Sequence, residues 1–411
     1  MEWIKDKKSI SVRARVAIKS WCPDPEPEAM KQAADLASHP AIDGHVALMP
    51  DCHVGYGMPI GGVIACRDAV IPNAVGVDIG CGMGAVKTSL SVTDLGDQKA
   101  IRAIVDEIKS MVPVGEGNSH KKAQSWEGFE SYREQIGQQL PGWFEEDKFQ
   151  HDHKNLGTLG GGNHFIEIQA DEADQVWLML HSGSRNLGYR IASFYNRLAQ
   201  ELNERWHAEI PSRDLAFLPS DSKEGLAYIR DMKFALAYAL ENRRQMMMAA
   251  KSVLQQLYSN VNFIEEINIH HNYAALENHF GRNLWVHRKG ATSARKGEKG
   301  IIPGSMGASS YIVIGLGNQD SFCSCSHGAG RKMGRNEASR NLTLEECNQA
   351  MQGIVFDRWQ KAKGRGKKKG EAAYDFGEAP QAYKDIDQVI RSELDLIEPV
   401  VKLRPLGVIK G

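Results

Sequence analysis

The chain lacks any apolar run of the roughly 18 residues that a membrane-spanning helix needs. Its N-terminal stretch, MEWIKDKKSISVRARV, lacks the apolar core of a secretory leader. Its seven cysteines are an odd number and form no dense framework, so a cytosolic protein with free or metal-bound thiols is expected. No two cysteines are spaced CxxC, which excludes a zinc-finger pattern. The order GxxxxGK[ST] is absent, which excludes a P-loop. No internal repeat is present, and strand and helix signals do not alternate regularly, so a Rossmann or barrel organisation is disfavoured. There is also no excess of charge: 50 basic against 51 acidic side chains leave a formal net charge of -1. That balance does not advertise a nucleic-acid binder, although phosphate binding needs only a local basic surface.

What remains is an ordinary globular composition, 42% hydrophobic and 25% charged, over 411 residues that include 40 glycines. A large mixed α+β domain fits best. Helices are expected near 28–38, from Asp94 to 112, over 187–210 and over 226–258, the last free of Gly and Pro. The run QVWLMLH (175–181) reads as a buried strand ending on a histidine. Strands and Gly-rich turns are expected over 41–90, 261–287 and 290–335, with GTLGGGN (157–163) a turn. Residues 115–155, polar and dotted with aromatics, read as surface helix and loop. The basic run KAKGRGKKKG (361–370) is either an RNA contact or a solvated loop.

Six segments share one grammar: a short apolar run, a metal-capable or nucleophilic side chain, then glycine or another small residue. They are LMPDCHVGYGMPIGG, VGVDIGCGMG, GGGNHFIEI, WLMLHSGSR, EEINIHHNYA and FCSCSHGAGR. They carry Asp78, Cys81, His164, His181, His271 and His327. Taken singly, each reads as a core histidine, a turn aspartate or a small buried thiol. Buried together without partners they would cost several kcal/mol each, on the order of 2–7. A shared metal centre satisfies them at once. Asp78 and Cys81, three apart with glycine between and after, can reach one ion if the backbone turns tightly. Thiolate chemistry by itself favours zinc. More than three histidines suggest two ions, and two ions suggest phosphoryl or nucleotidyl transfer. Cys323 and Cys325 are too closely spaced for a metal pair and read as structural.

Around this set, GSMGASSY (304–311) offers hydroxyls and backbone N–H groups suited to a purine or a phosphate. Asn163 can donate to a phosphate oxygen, Glu167 can accept from a purine amine, and Arg185 and Arg331 can hold phosphates bidentately. His327, between small residues, is either a further metal ligand or a covalent nucleophile. Spacing does not separate these two roles.

The stretches PDCHVGYGMPIGG, NAVGVDIGCGM, LGTLGGGNHFIEI, MLHSGSRNLG, INIHHNYA, VHRKGATSA, IIPGSMGASSY, CSHGAGR, AYKDID and the terminal VIKG closely resemble the RtcB family of RNA ligases. The resemblance runs from about residue 45 to the end. It implies a single catalytic domain over 1–411 with a central metal and nucleotide cleft, and it leaves 115–155 as a variable surface segment. It also implies GTP-dependent joining of an RNA 3′-phosphate or 2′,3′-cyclic phosphate to a 5′-hydroxyl end. On the matching residues, Asp78, Cys81, His164, His181 and His271 would bind two Mn²⁺, with the Cys81 thiolate touching both ions. In the pair of adjacent histidines, His271 is chosen over His270. His327 would accept GMP, Asn163 would steady a phosphate, and Glu167 would read guanine. Ser305 and Ser310 would line the nucleotide pocket, Tyr383 would pack there, and Lys410 would reach guanine. Arg185 and Arg331 are looser assignments. The family's Mn²⁺ and the zinc that thiolate chemistry favours disagree, and tight, inhibitory Zn²⁺ binding is expected.

The resemblance carries further expectations: a cytoplasmic monomer, no membrane, RNA ends as partners, and room for an activating helper protein. Two rival readings stand beside the ligase. One is a metal-dependent phosphoesterase or 3′-end guanylylating enzyme without efficient joining. The other is a non-catalytic RNA-binding protein, which would have no use for a covalent acceptor such as His327.

Overall fold

Most described strands sort into two large sheets, with two further two-stranded sheets beside them, in a computed structural model that describes residues 2–5, 14–361 and 374–411. The basic run 361–370 therefore lies outside the described residues, apart from Lys361. The first sheet runs, in spatial order, Glu2–Lys5, Ala17–Ser20, Ile42–His53, Ile60–Cys66, Arg282–Lys289 and Asn272–His279. The second runs Phe263–His270, Gly82–Ser91, Gln175–Ser182, Phe165–Ala170, Ile397–Lys410, Ser310–Gly315 and Lys299–Ile302. The short strand Val355–Phe356 pairs in parallel with Ile397–Lys410.

The end strands of the second sheet approach each other, and Lys299 Nζ reaches Glu265 across the gap at 2.7 Å. The sheet thus curls into a nearly closed barrel, and the architecture is a mixed α+β domain as expected. The two sheets meet where Phe263–His270 of the second continues, across His271, into Asn272–His279 of the first. His271 stands on that seam.

A 35-residue helix, Lys223–Leu257, backs the second sheet. Ser222 caps it by accepting from the Gly225 N–H at 3.0 Å, which starts the helix three residues before the expected 226. Its buried face includes Tyr228, Met232, Ala235, Ala239, Met246 and Val253, and it packs against helix Arg185–Arg205. The latter ends earlier than the expected 210, because His207 takes a positive φ of 51° and breaks the spiral. The helix expected from Asp94 to 112 is split. Gly96, at φ 86°, ends a single turn over Val92–Leu95. Asp97 then restarts the helix at Gln98–Met111 by accepting from the Lys99 and Ala100 N–H groups.

The segment 115–155 is mostly exposed helix and loop, as expected, but its aromatics turn inward. It forms helices Glu127–Ile136 and Glu146–Asn155, whose Phe129, Tyr132 and Phe149 are buried with Trp143 against the long helix. Asp231, on that helix and fully buried, accepts from Tyr132 Oη at 3.0 Å, Trp143 Nε1 at 2.7 Å and Tyr195 Oη at 2.7 Å. The aromatics dotted through a polar sequence are its inward stripe.

Candidate metal and nucleotide cleft

Strand register brings the chemistry-bearing residues to one end of the second sheet. His181 lies opposite both Met83 and Phe165, and Lys410 lies opposite Phe165. His164 precedes Phe165, and the Asp78–Cys81 turn precedes Gly82. The turn answers why glycine is repeated here. Gly80 takes φ 78°, and a Cβ at Gly82 would lie 1.9 Å from the Ile269 carbonyl oxygen. The backbone can therefore pass against the neighbouring strand, and the Cys81 carbonyl accepts from the His271 N–H at 2.8 Å.

Two ligand sets overlap at one thiol. Cys81, His181 and His271 form the first; Asp78, Cys81 and His164 form the second. Cys81 Sγ is 3.2 Å from His181 Nε2 and 3.5 Å from His164 Nε2. His164 Nε2 is 3.3 Å from Asp78 Oδ2. His164 and His181 donate from Nδ1 to the carbonyls of Leu159 and Asn163, which leaves both Nε2 atoms as bare acceptors. His181 Nε2 and His271 Nε2 are 3.3 Å apart, and burial pushes both imidazoles well below their ordinary pKa, so both are neutral. His271 Nδ1 is buried without a partner among the described residues.

Thiol, imidazole and carboxylate donor atoms converge within 4.8 Å in each set, and His181 and His271 are neutral, so the donor set fits divalent metal. Burial pushes the Cys81 thiol well up; a cation reverses this, because thiolate is the ligating form and its proton leaves on binding.

Gly183 is a positional requirement of the same centre. A Cβ there would lie 2.2 Å from Asp78 Oδ2, and the next residue's N–H holds Asp78 Oδ1 at 3.1 Å. Gly183→Ala is expected to weaken divalent-metal binding about 10-fold or more while the chain stays folded. Equilibrium dialysis beside a circular-dichroism melt reads both, and unchanged affinity would show that Asp78 is not a ligand.

His327 sits next to this centre, its ring centroid 4.8 Å from that of His271. The fully buried Asp51 carboxylate accepts from His327 Nδ1 at 2.5 Å and from its backbone N–H at 3.1 Å. Nδ1 is thereby the protonated nitrogen, and Nε2 carries the free lone pair that a nucleophile needs. Asp78, Cys81, His181, His271 and His327 border a cleft of about 380 Å³, and the buried His164 lies behind its lining.

The same cleft is walled by Asn163, Ser305, Arg331, Tyr383 and Lys410. Lys410 Nζ donates to the Asn163 carbonyl at 3.1 Å. Arg331 reaches Tyr383 Oη at 3.0 Å. Glu167 and Ser310 lie behind the wall, both bonded to Gln169, and burial pushes Glu167 up to about 7. Arg185 is not on this wall; its Nε donates to Thr158 Oγ1 at 3.1 Å beside a neighbouring groove. Cys323 and Cys325 are buried and outside both ligand sets.

Several residues here have no place in the sequence reading. Asp51 is one. Glu378 is another: Arg331, Arg335, Tyr383 and Lys410 all converge on it. Burial favours its protonation, but Lys410 and Arg335 outweigh that and hold it down at about 2. Arg243, fully buried on the long helix, donates to the carbonyls of Gly80 and Ser182 at 2.8 and 3.0 Å and to His270 Nδ1 at 3.0 Å. That contact occupies His270, while His271 faces the ligand set. Lys289 also borders the cleft, and burial pushes it down to about 7.

A thiol shared by two candidate ligand sets, beside a carboxylate-oriented histidine, is an arrangement suited to metal-assisted phosphoryl or nucleotidyl transfer. Comparison with known proteins narrows the class. The family model described as tRNA-splicing ligase RtcB matches residues 32–411. The "RNA-splicing ligase RtcB" of Escherichia coli K12 is 40% identical over 405 residues, covering 94% of this chain and 95% of that protein. "RNA-splicing ligase RtcB1" of a second E. coli strain, ATCC 25922, is 41% identical with the same coverage. The "tRNA-splicing ligase RtcB" of Methanococcus maripaludis is 32% identical over 450 residues, covering 93% of this chain and 92% of that protein. The chain belongs to the RtcB family.

Proposed function

We propose that this protein is a GTP-dependent RNA ligase that joins a 3′-phosphate or 2′,3′-cyclic phosphate end to a 5′-hydroxyl end, with His327 carrying GMP between them. The observation that supports this best is the Asp51–His327 pair beside two ligand sets that share Cys81. Two Mn²⁺ ions, held by Asp78, Cys81, His164, His181 and His271, would supply positive charge to phosphate oxygens where charge accumulates.

The chain's own residues do the rest. Asp51 keeps the proton on Nδ1 of His327, so Nε2 attacks the α-phosphorus of GTP. The N–P bond forms as the P–O bond to pyrophosphate breaks. The RNA 3′-phosphate, opened by water where it is cyclic, then takes the GMP: a P–O bond forms and the N–P bond breaks. Finally the 5′-hydroxyl oxygen attacks the RNA 3′-phosphorus, GMP leaves with the bonding pair, and the hydroxyl proton is released. Asn163, Arg185 and Arg331 steady phosphates. Lys410, Glu167, Ser305, Ser310 and Tyr383 hold the guanosine, and Glu167 reaches guanine after a side-chain shift from Gln169.

On this reading residues 1–411 act as one catalytic domain, with 115–155 tuning which RNA is bound. The protein is a cytoplasmic monomer. Among the described residues no helix is long and apolar enough to cross a membrane.

Incubation with GTP and Mn²⁺ tests the reading by intact-protein mass. Wild type gains one GMP, His327→Ala gains none, and wild type converts the paired RNA ends to joined product. Hydrolysed or 3′-guanylylated ends without joining would replace the ligase with the phosphoesterase or guanylylating reading. No GMP on a metal-loaded chain, even with cell extract added as a source of a helper protein, would remove the His327 step.

A further inference from the structure

A ligase must seat two RNA strands, and the surface offers two grooves that open into the one cleft. The first, of about 790 Å³, shares His53, Ile60, Arg331 and Arg335 with the cleft, so the two are one continuous opening. The second, of about 730 Å³, shares Arg335 and Glu378 with the cleft and contains Arg185. The grooves differ in chemistry where they matter.

Arg185 places a guanidinium in the second groove, which suits a phosphate dianion. In the first groove the residue at the inner end is His53. Its Nδ1 donates to the Asp51 carbonyl at 2.9 Å, so Nε2 is an acceptor, and it has no partner among the described residues. Burial holds the ring neutral, with its pKa down to about 4. A neutral acceptor disfavours a phosphate dianion and accepts a hydrogen bond from a hydroxyl. Asp51 therefore sets two imidazoles at once, His327 through its carboxylate and His53 through its carbonyl.

Farther out, the exposed Lys332 and Arg340 line the same groove and form no ion pair among the described residues. Arg331 and Arg335, by contrast, are paired with Glu378. The acidic residues of the groove are Glu26 and Glu337, and the second caps the N–H of Gly334. Two uncommitted cations on a track leading to an acceptor fit a backbone of phosphates that ends in a hydroxyl.

We propose that this first groove seats the RNA strand ending in the 5′-hydroxyl, with Lys332 and Arg340 on its phosphates and His53 Nε2 accepting from the hydroxyl. The assignment rests on the RNA-joining reading. His53 acts as a positioning residue here, and no proton transfer to it is required.

The test is a single-turnover assay with two separate RNA strands that follows the protein–GMP adduct, the 3′-guanylylated RNA and the joined product. In Lys332→Glu/Arg340→Glu, the adduct and the guanylylated RNA form, which also reports a folded chain. Guanylylated RNA then accumulates, because KM for the 5′-hydroxyl strand rises about 10-fold or more, and the gap narrows at lower salt. From preformed guanylylated RNA, which bypasses the guanylylation steps, His53→Phe slows joining about 10-fold, and His53→Gln, which keeps an acceptor, restores part of it. If RNA guanylylation falls in step with joining, the groove seats the 3′-phosphate strand and the proposal is wrong. It is equally wrong if the double variant joins like wild type. A wild-type chain that takes no GMP sinks the joining reading itself, and this assignment with it.

Discussion

Asp51→Ala is expected to slow transfer of GMP onto His327 by about 10³–10⁴-fold, the scale set by removing the orienting carboxylate from other histidine-based sites. The geometry gives Asp51 two separable jobs. One carboxylate oxygen takes both the Nδ1 proton and the backbone N–H of His327, which fixes the ring and its tautomer. Its negative charge also faces the positive charge that the ring gains once Nε2 is bonded to phosphorus. The other oxygen is buried without a partner. Asp51→Asn can place its amide oxygen on the two donors and its NH₂ at the unpartnered position. That variant keeps the tautomer and loses only the charge, so the expected loss is smaller, about 10²-fold. Quenched-flow guanylylation, read as the mass of the adduct over time, separates three outcomes. Equal losses in both variants would mean that charge dominates. No loss in Asp51→Asn would mean orientation alone. No loss in either would remove Asp51 from the reaction.

Asp51 also shows how far a sequence can be read. The candidate ligands were legible because these polar side chains adjoin short apolar runs with glycine or another small residue close by, as at WLMLHSG and GGGNHF. Asp51 interrupts such a segment too, in LMPDCH, but it lies 276 positions from His327, and nothing in the spacing couples them. Arg243 was hidden differently. It sits in ENRRQ, which reads as the solvated face of a helix, yet it is fully buried and braces the Gly80 turn behind Cys81. Periodicity reports which face is polar, and it is silent when a charged residue is turned inward to satisfy carbonyls left by a tight turn.

The long helices were legible within a few residues because propensity and pattern agree there. The closure of the second sheet was not, since it depends on pairing between strands as distant as Phe165–Ala170 and Ile397–Lys410. The Glu378 hub was equally hidden, because its partners at 331, 335, 383 and 410 come from separate loops and strand ends.

Cys81→Ala is expected to empty the metal centre altogether, because the thiol belongs to both ligand sets. Single histidine losses should behave otherwise. His271→Ala removes a member of one set and leaves Asp78, Cys81 and His164 intact, so one Mn²⁺ remains; His164→Ala leaves Cys81, His181 and His271. Elemental analysis after equilibrium dialysis should therefore give two ions for wild type, one for each histidine variant and none for Cys81→Ala.

The affinity loss in Cys81→Ala should exceed the 10–100-fold typical of outer-shell changes, because a direct ligand is lost twice. Stability should change by only about 1 kcal/mol, since a small buried side chain is replaced by a slightly smaller one. A preserved melting transition therefore distinguishes metal loss from unfolding. Zinc supplies the complementary arm. A thiolate prefers Zn²⁺ to Mn²⁺, so Zn²⁺ should displace Mn²⁺ from wild type and stop GMP transfer, and Cys81→Ser should lose Zn²⁺ affinity more than Mn²⁺ affinity. Two ions retained in Cys81→Ala would show that the thiol bridges nothing. Parallel losses of the two metals in Cys81→Ser would show that the sulfur does not set the preference, leaving the carboxylate and imidazoles to do so.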